Sequence, residues 1–364
     1  MIEQAQTAHK DQVESLLKQA RRQHRLAGDA FARLAIIRVT TRFYADDLWN
    51  AAECYVSGKC YSRAARALRE YLLNETKRRN SLALLQLGKC LMALGKYDEA
   101  ITVLEECIEF HRRDAASYEA RLLAAYAYQE KGDFDRAEKL LRENLSGMLA
   151  PSSIEWRDSL FALGKFLFLK GAYPEAIEKL EEAVFRYPDA PTVVEALYLL
   201  GESHRRIADE IGAAVEKELV ENIRLARSRK IGEHLSSALS YYRRAQETLA
   251  ERQESGNLSE LDRRTMRNLF FAAGEVLYRL GRYAEAVKEY TAVTNRFQDD
   301  PAILEAYVQL ARNYRAMNRP DQAHVAVEQA KILLRRLKPK IAYTQTTNYD
   351  AQQWAERLDW LSAL

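Results

Sequence analysis

Apolar residues recur along this chain at steps of three and four positions, the spacing that places side chains on one face of an α-helix. In the stretch SLALLQLGKCLMAL, residues 81–94, Leu84, Leu87 and Leu91 form one such stripe. A stripe of this kind is stable when it is buried against another element. The pattern therefore predicts amphipathic helices that pack against one another.

The phrase LGKCLMALGKYDEAI, residues 87–101, recurs along the chain. Each close copy has a small residue within a helix, a turn, an aromatic residue and an alanine three positions after it. Close copies lie at 124–138, 163–177 and 273–287, and weaker copies lie at 51–65 and 310–324. The aligned alanines are Ala64, Ala100, Ala137, Ala176, Ala286 and Ala323, with Ala238 in an interrupted copy. Such self-similarity is typical of stacked repeats and predicts a solenoid.

Glycines occupy two recurring positions in these copies. Those within helices lower helix stability by about 1 kcal/mol relative to alanine, so we expect two helices to approach closely there. They are Gly88, Gly164, Gly201 and Gly274. Those where a helix stops suit the left-handed backbone of a helix end. They are Gly95, Gly132, Gly171 and Gly281, and they predict the bends of helix hairpins.

The repeated phrase resembles the tetratricopeptide repeat, a helix hairpin of about 34 residues. In residues 81–110 the matching positions are Leu84, Leu87, Gly88, Leu91, Gly95, Tyr97, Ala100 and Leu104, and Pro188 follows another copy as the expected breaker. The resemblance implies an all-α, right-handed superhelical solenoid of helix-turn-helix repeats. It also implies a noncatalytic scaffold that binds another protein.

The repeats predict three parts of the chain. Residues 1–44 are expected to form N-terminal helices that make a degenerate repeat, with Ala20 and Ala32 at its two small-residue positions. Residues 45–338 are expected to form an array of seven units. Residues 339–364 are predicted to be a polar linker and a capping helix, whose apolar stripe is Trp354, Leu358 and Leu361.

Two intervals between aligned alanines are unusually long. Within the first, the helical pattern continues through residues 207–223, so we expect an insertion near 208–231 in which a projecting helix runs from about 194 to 229. Gly212 could divide it into two helices, and residues 234–249 would follow as the partner helix. The second interval contains the polar stretch 251–264, which predicts a connecting loop. Self-association through the helix near 207–229 is the alternative function.

Charge is nearly balanced, with 55 basic and 52 acidic residues. No nucleic-acid partner is expected from this balance, because the basic segments 224–230 and 335–340 are more often solvated helix faces. A nucleic-acid-associated or enzyme-associated role through these segments remains a second alternative.

Motifs of catalysis and metal binding are absent from the sequence. The six histidines lack metal-ligand spacing, the four cysteines form no paired CxxC motifs, and no Walker A, GxGxxG, HExxH or GxSxG motif occurs. The chain is therefore predicted to have no catalytic residues, no metal and no cofactor.

No apolar run of about 18 residues predicts a membrane span, and no signal-peptide core follows Met1. We therefore expect a cytoplasmic protein, or a periplasmic one if a targeting segment was removed.

The candidate binding surface comes from the resemblance, in which the first helix of each unit, including its fifth residue, lines a concave face. Those fifth residues are Trp49, Leu85, Leu122, Phe161, Tyr198, Phe271 and Val308, and Tyr126, Phe168 and Tyr278 lie farther along the face. All are apolar or aromatic, which predicts an exposed groove that binds a protein or peptide segment. The alternative interpretation is that these side chains pack between neighbouring helices.

The resemblance also excludes one mode of binding and suggests a pathway. Chaperone-binding members hold a C-terminal carboxylate with Lys and Asn, but the corresponding positions here are Trp49 with Glu53, Leu85 with Lys89, and Leu122 with Tyr126. The repeat junctions at 183–209 and 293–319 resemble those of outer-membrane assembly lipoproteins and Tol-Pal-associated periplasmic proteins. This similarity implies a role in bacterial envelope assembly.

Overall fold

Helices account for all the regular secondary structure in the residues that the structure, a computed structural model, describes. These residues are 2–337 except 76, 217 and 257, then 343 and 346–363, and the side chains of 2–11 are not included. The first eight helices are α1 (Ile2–Ile37), α2 (Tyr44–Ser57), α3 (Tyr61–Asn74), α4 (Asn80–Ala93), α5 (Tyr97–Phe110), α6 (Ala115–Glu130), α7 (Phe134–Ser146) and α8 (Ile154–Lys170). The others are α9 (Tyr173–Arg186), α10 (Val193–Val215), α11 (Glu221–Glu254), α12 (Glu260–Arg279), α13 (Tyr283–Arg296), α14 (Ile303–Ala316), α15 (Pro320–Arg336) and α16 (Ala351–Ala363). The all-α helical-repeat fold is confirmed.

Each of the four predicted bend glycines lies between two consecutive helices. Gly95, Gly132, Gly171 and Gly281 have φ between 70° and 83°, the left-handed conformation that lets a helix end in a tight turn. Each is followed within two residues by the aromatic residue that begins the next helix. The chain divides into two compact units, a first unit of residues 1–166 and a second unit of residues 167–364.

Glycines within helices give the space for the second helix of each hairpin. A Cβ atom on Gly274 would lie 2.6 Å from Cζ of Tyr290, and one on Gly201 would overlap the ring of Tyr242. At Gly88 the side chain of Leu104 fills the same space. The prediction of close helix approach at these three glycines is confirmed.

The N-terminal region differs from the predicted hairpin, because residues 2–37 form the single helix α1, which packs on α2. Ala20 and Ala32 therefore lie on the same helix. The physical reason is that Gly28 does not end the helix: a Cβ there would lie 2.7 Å from Cδ1 of Tyr55, so this glycine makes room for a ring of α2.

The predicted projecting helix also differs, because α10 ends at Val215 and the chain reverses direction before α11 begins at Glu221. The break follows Gly212, which stays helical. Polar contacts hold the reversal: Glu218 accepts a hydrogen bond from the Val220 amide at 3.1 Å and pairs with Arg227 at 3.0 Å. The insertion therefore lengthens an ordinary hairpin, and α11 includes the predicted partner helix.

The predicted loop at 251–264 is much shorter than expected. Helix α11 continues to Glu254, and α12 begins at Glu260. The hydroxyl of Ser259 accepts a hydrogen bond from the Asp262 amide at 3.0 Å, and the Asp262 carboxylate accepts one from the Ser259 amide at 3.1 Å. This reciprocal cap starts a helix within a stretch whose polarity suggested a loop.

Helix α16 packs on α15, and its side chains Trp354 and Leu358 are buried. Leu361 is half-buried. None of the described helices combines the length and the apolar character needed to cross a membrane.

Candidate functional site

Half of the predicted groove residues are buried, with relative exposures of 3–9%. They are Trp49, Leu85, Leu122, Phe161 and Val308. The Trp49 ring, for example, lies 5.5 Å from the Tyr71 ring and under the Arg79 guanidinium at 5.3 Å. These five side chains pack within their units, as in the alternative interpretation, and offer little of the open surface that a groove requires.

The other five predicted residues are half-buried. Tyr126 meets the Phe166 ring edge-on at 5.5 Å in the first unit. In the second unit the Phe168 ring lies 5.7 Å from Tyr173. Tyr278 is covered by the Arg312 guanidinium, 3.7 Å from its ring centroid. Tyr198 and Phe271 differ from these three because they border a shared cavity.

This cavity of about 280 Å³, here named the Tyr198 cleft, lies within the second unit. One side is formed by Tyr198 of α10, by Arg267, Asn268 and Phe271 of α12, and by Ala302 and Glu305, which lie immediately before and within the first turn of α14. The other side is formed by Thr346, Thr347, Asn348, Tyr349 and Trp354. The structure thus brings together two of the ten predicted residues in one concave site.

Helix packing fixes the two aromatic rings of the cleft. The Tyr198 ring lies 6.1 Å from Tyr242, and the Phe271 ring lies 5.8 Å from Tyr290. Tyr242 and Tyr290 are the rings accommodated by Gly201 and Gly274, each three positions after a cleft aromatic. Burial, followed by the nearby Glu202 carboxylate, raises the pKa of Tyr198. Its phenol therefore stays protonated near neutral pH and can donate a hydrogen bond.

Polar side chains border the aromatic rings. Arg267 is 8% exposed and forms a short ion pair with Asp300, so its charge is neutralised within the protein. It also donates to the Asn268 amide oxygen at 3.3 Å. Glu305 accepts a hydrogen bond from Gln309 at 2.7 Å, and the side chain of Asn268 is exposed. The cleft thus combines apolar ring surface with neutral and anionic acceptors, an arrangement that suits a peptide segment.

Sequence reasoning missed part of this site. Arg267 lies four positions before Phe271, and Glu305 lies three positions before Val308, so helical spacing could have placed both on the candidate face. Residues 346–349 gave no comparable signal. Their position depends on tertiary contacts made by Trp354.

A pair of histidines lies outside the cleft in the second unit. Nδ1 of His204 is 2.9 Å from Nδ1 of His234, and the His204 ring stacks on Tyr241 at 5.7 Å. Burial lowers the pKa of both imidazoles. Within the described residues, no group of three or more His, Cys, Asp or Glu side chains could hold a metal ion.

Comparisons with known proteins agree with the repeated hairpins. Residues 122–191 and 262–331 match models of the tetratricopeptide repeat, and residues 32–107 match a model of subunit 3 of the anaphase-promoting complex, or cyclosome. No curated protein matches the sequence.

Three solved structures are similar to the chain. A tetratricopeptide repeat protein from Parabacteroides merdae is 14% identical over 88% of this chain and 99% of that chain, with a TM-score of 0.45. The pilF protein of Pseudomonas aeruginosa is 17% identical over 74% of this chain and 97% of its own, with a TM-score of 0.45. MamA of Desulfovibrio magneticus is 18% identical over 55% of this chain and 95% of its own, with a TM-score of 0.40. The two matching segments, together with the helix hairpins, show that this chain contains tetratricopeptide repeats.

Proposed function

We propose that this protein is a noncatalytic scaffold that binds a segment of a partner protein in the Tyr198 cleft. Tetratricopeptide repeats are generally scaffolds for protein–protein interaction. The observation that carries the proposal is the shared cavity of Tyr198 and Phe271, two predicted binding residues from helices far apart in the sequence.

The lining of the cleft favours one anchoring side chain on a short extended segment. Tyr198 and Phe271, which belong to the helical side of the cleft, give one large apolar side chain two rings to pack against. Burial of such a side chain contributes about 1.5–3 kcal/mol, and backbone amides of the same segment would donate to Glu305 or Asn268.

Affinity capture from lysate of the source cells tests this proposal. Full-length protein would be compared with Phe271→Glu and Asn268→Arg, which place a charge and a bulky side chain in the cleft. Phe185→Glu is the matched control, because Phe185 lies on α9 in the same unit with 87% of its surface exposed. Circular dichroism would first establish that each variant folds.

Loss of the same proteins from both cleft variants, with capture by Phe185→Glu unchanged, would support the proposal. Equal capture by all the variants would contradict it.

Self-association is a second candidate function, supported by apolar side chains around the α10–α11 reversal. Leu219 is 97% exposed and Leu225 is 59% exposed, with Val220 and Ile223 nearby in sequence. We propose that a second copy would cover them. Light scattering on the wild type and on Leu219→Asp with Leu225→Asp would test this, since a monomeric wild type excludes it.

A role in bacterial envelope assembly is a narrower proposal, supported by the repeat junctions at 183–209 and 293–319. It requires a periplasmic location, whereas a general scaffold could act in the cytoplasm. Fractionation of the source cells followed by immunoblotting would distinguish the two compartments.

A further inference from the structure

One side of the Tyr198 cleft is formed by a segment distant in sequence from the helices that carry its aromatic rings. Trp354 anchors this segment with 1% of its surface exposed. Its indole Nε1 donates to the Thr347 hydroxyl at 3.0 Å, and its ring meets Tyr349 edge-on at 5.3 Å. The Arg357 guanidinium lies 4.8 Å from the Tyr349 ring centroid. These contacts hold residues 347–357 together along this side of the cleft.

Contacts of α16 with its neighbours outside the cleft are largely exposed. Lys331 pairs with Asp359 at 2.9 Å and donates to the Ser362 hydroxyl at 2.7 Å; its own side chain is 17% exposed, whereas that of Asp359 is 75% exposed. Arg315 donates to the Leu361 carbonyl at 2.8 Å from an exposed side chain. Exposed polar contacts of this kind contribute little to stability. The segment is therefore held mainly by the burial of Trp354 and Leu358.

We propose that residues 346–363 are an intramolecular cover of the Tyr198 cleft, which a partner segment displaces when it binds. This inference rests on the proposed function of the cleft. The cover presents Thr347, Asn348 and Tyr349 to the cleft, small polar side chains beside an aromatic ring. A competing partner segment would have the same chemistry, an aromatic side chain flanked by small hydrogen-bonding residues.

Competition from the cover lowers the apparent affinity of a partner by the fraction of molecules in which the cleft is open. A variant that releases the cover should therefore bind a cleft ligand more tightly than the wild type does. The released segment itself provides a probe, because the cover is by this proposal a ligand of the cleft.

The test measures binding of a fluorescein-labelled synthetic peptide of residues 346–363 to full-length protein by fluorescence anisotropy. Trp354→Ala removes the buried anchor. Trp360→Ala is the matched control, because Trp360 lies on the same helix and is 63% exposed. Thr347→Val keeps the side-chain shape and removes the acceptor of the Trp354 indole, so it loosens the cover without a cavity.

We expect Trp354→Ala to bind the peptide at least about tenfold more tightly than the wild type, as follows when a tenth or less of the wild-type molecules are open. Thr347→Val should show a smaller gain, and Trp360→Ala should behave as the wild type. A peptide carrying Trp354→Ala should not bind. Adding Phe271→Glu to the Trp354→Ala protein should abolish binding.

Equal peptide binding by Trp354→Ala and Trp360→Ala, or no binding by any variant, would contradict the proposal that residues 346–363 cover the cleft. If Trp354→Ala does not fold by circular dichroism, the comparison of Thr347→Val with wild type decides. If no variant binds the peptide more tightly than the wild type does, but Phe271→Glu still loses the captured proteins, this inference alone is overturned. Peptide binding without capture dependent on Phe271 would instead overturn the proposed partner site.

Discussion

The hydroxyl of Tyr242 on α11 donates a 2.6 Å hydrogen bond to Oε1 of Glu202 on α10. Both residues are buried, at 0% and 5% exposed. Arg205 donates to the same carboxylate through Nη2 at 2.5 Å and Nε at 3.1 Å. A buried carboxylate is stable when hydrogen-bond donors compensate for its lost hydration. Because the Tyr242 donor is on α11 and the Glu202 carboxylate is on α10, their hydrogen bond joins the two helices of one hairpin.

Tyr242→Phe should destabilise the second unit by about 1–3 kcal/mol, because the buried Glu202 carboxylate loses one of its donors. Tyr241→Phe is the matched control on the neighbouring residue, whose hydroxyl donates to exposed Glu181. Its effect should be below about 1 kcal/mol. Urea denaturation of both variants measures the difference, and equal losses would contradict the special role of the buried pair.

Gly201→Ala should destabilise the protein by about 1–3 kcal/mol, because the added Cβ overlaps the Tyr242 ring and forces α10 and α11 apart. Gly232→Ala is the matched control within α11, where a Cβ meets nothing within 4 Å. That change should stabilise the helix by about 0.5–1 kcal/mol. Opposite shifts of the denaturation midpoint are therefore expected, and shifts of the same sign would be inconsistent with the observed packing.

Acidification should weaken the second unit through the His204–His234 pair. Burial and His234 lower the pKa of His204 below 6.5, although Glu181 opposes the shift, and burial lowers that of His234. The unfolded chain then binds more protons than the folded chain, so this stability is present above the unfolded pKa and is lost as the pH falls through the lowered folded pKa values.

His204→Gln should therefore reduce the dependence of the unfolding free energy on pH between about pH 7.5 and 5. His324→Gln is the control, because His324 is an exposed residue of the same unit. Urea midpoints measured across that pH range give both slopes. An unchanged slope in His204→Gln would show that the pair does not contribute.

The cysteines should react with iodoacetamide in two groups. Burial raises the pKa of Cys90 and of Cys107 to about 11, and the two are 1% and 0% exposed. Cys54 and Cys60 are half-exposed. Mass spectrometry after labelling near pH 8 should find Cys54 and Cys60 modified first, with the other two modified only in urea. Native labelling of all four at one rate would contradict the packing of the first unit.

Local features of the repeats could be predicted from sequence because their causes lie within one hairpin. Gly95 has the positive φ that ends α4, and Gly88 of α4 makes room for Leu104 of α5. All three residues belong to one copy of the repeated sequence pattern. The exposure of a groove residue depends on more distant contacts. Trp49 and Tyr198 have the same place in the pattern, yet Trp49 is 8% exposed while Tyr198 borders a cavity.

The predicted helix boundaries were wrong where local polar contacts determine the end or the start of a helix. Periodicity continued through the α10–α11 reversal, where the contacts of Glu218 with Val220 and Arg227 stabilise a turn that carries no glycine or proline. Conversely, polarity suggested a loop around 251–264, but the reciprocal cap of Ser259 and Asp262 begins a helix there. Both outcomes depend on geometry that composition does not contain.

The fit of Tyr242 against Gly201, and of Tyr290 against Gly274, limits how this chain could be re-engineered. If α10 were moved into another protein, the space above its glycine would still have the shape of a tyrosine ring. A partner helix with leucine at the facing position would leave part of that space empty, and the resulting cavity would destabilise the chimera. Helices α4 and α5, matched through Gly88 and Leu104, carry a different fit. The smallest portable module is therefore the hairpin, and chimeras should be joined in the loops between hairpins.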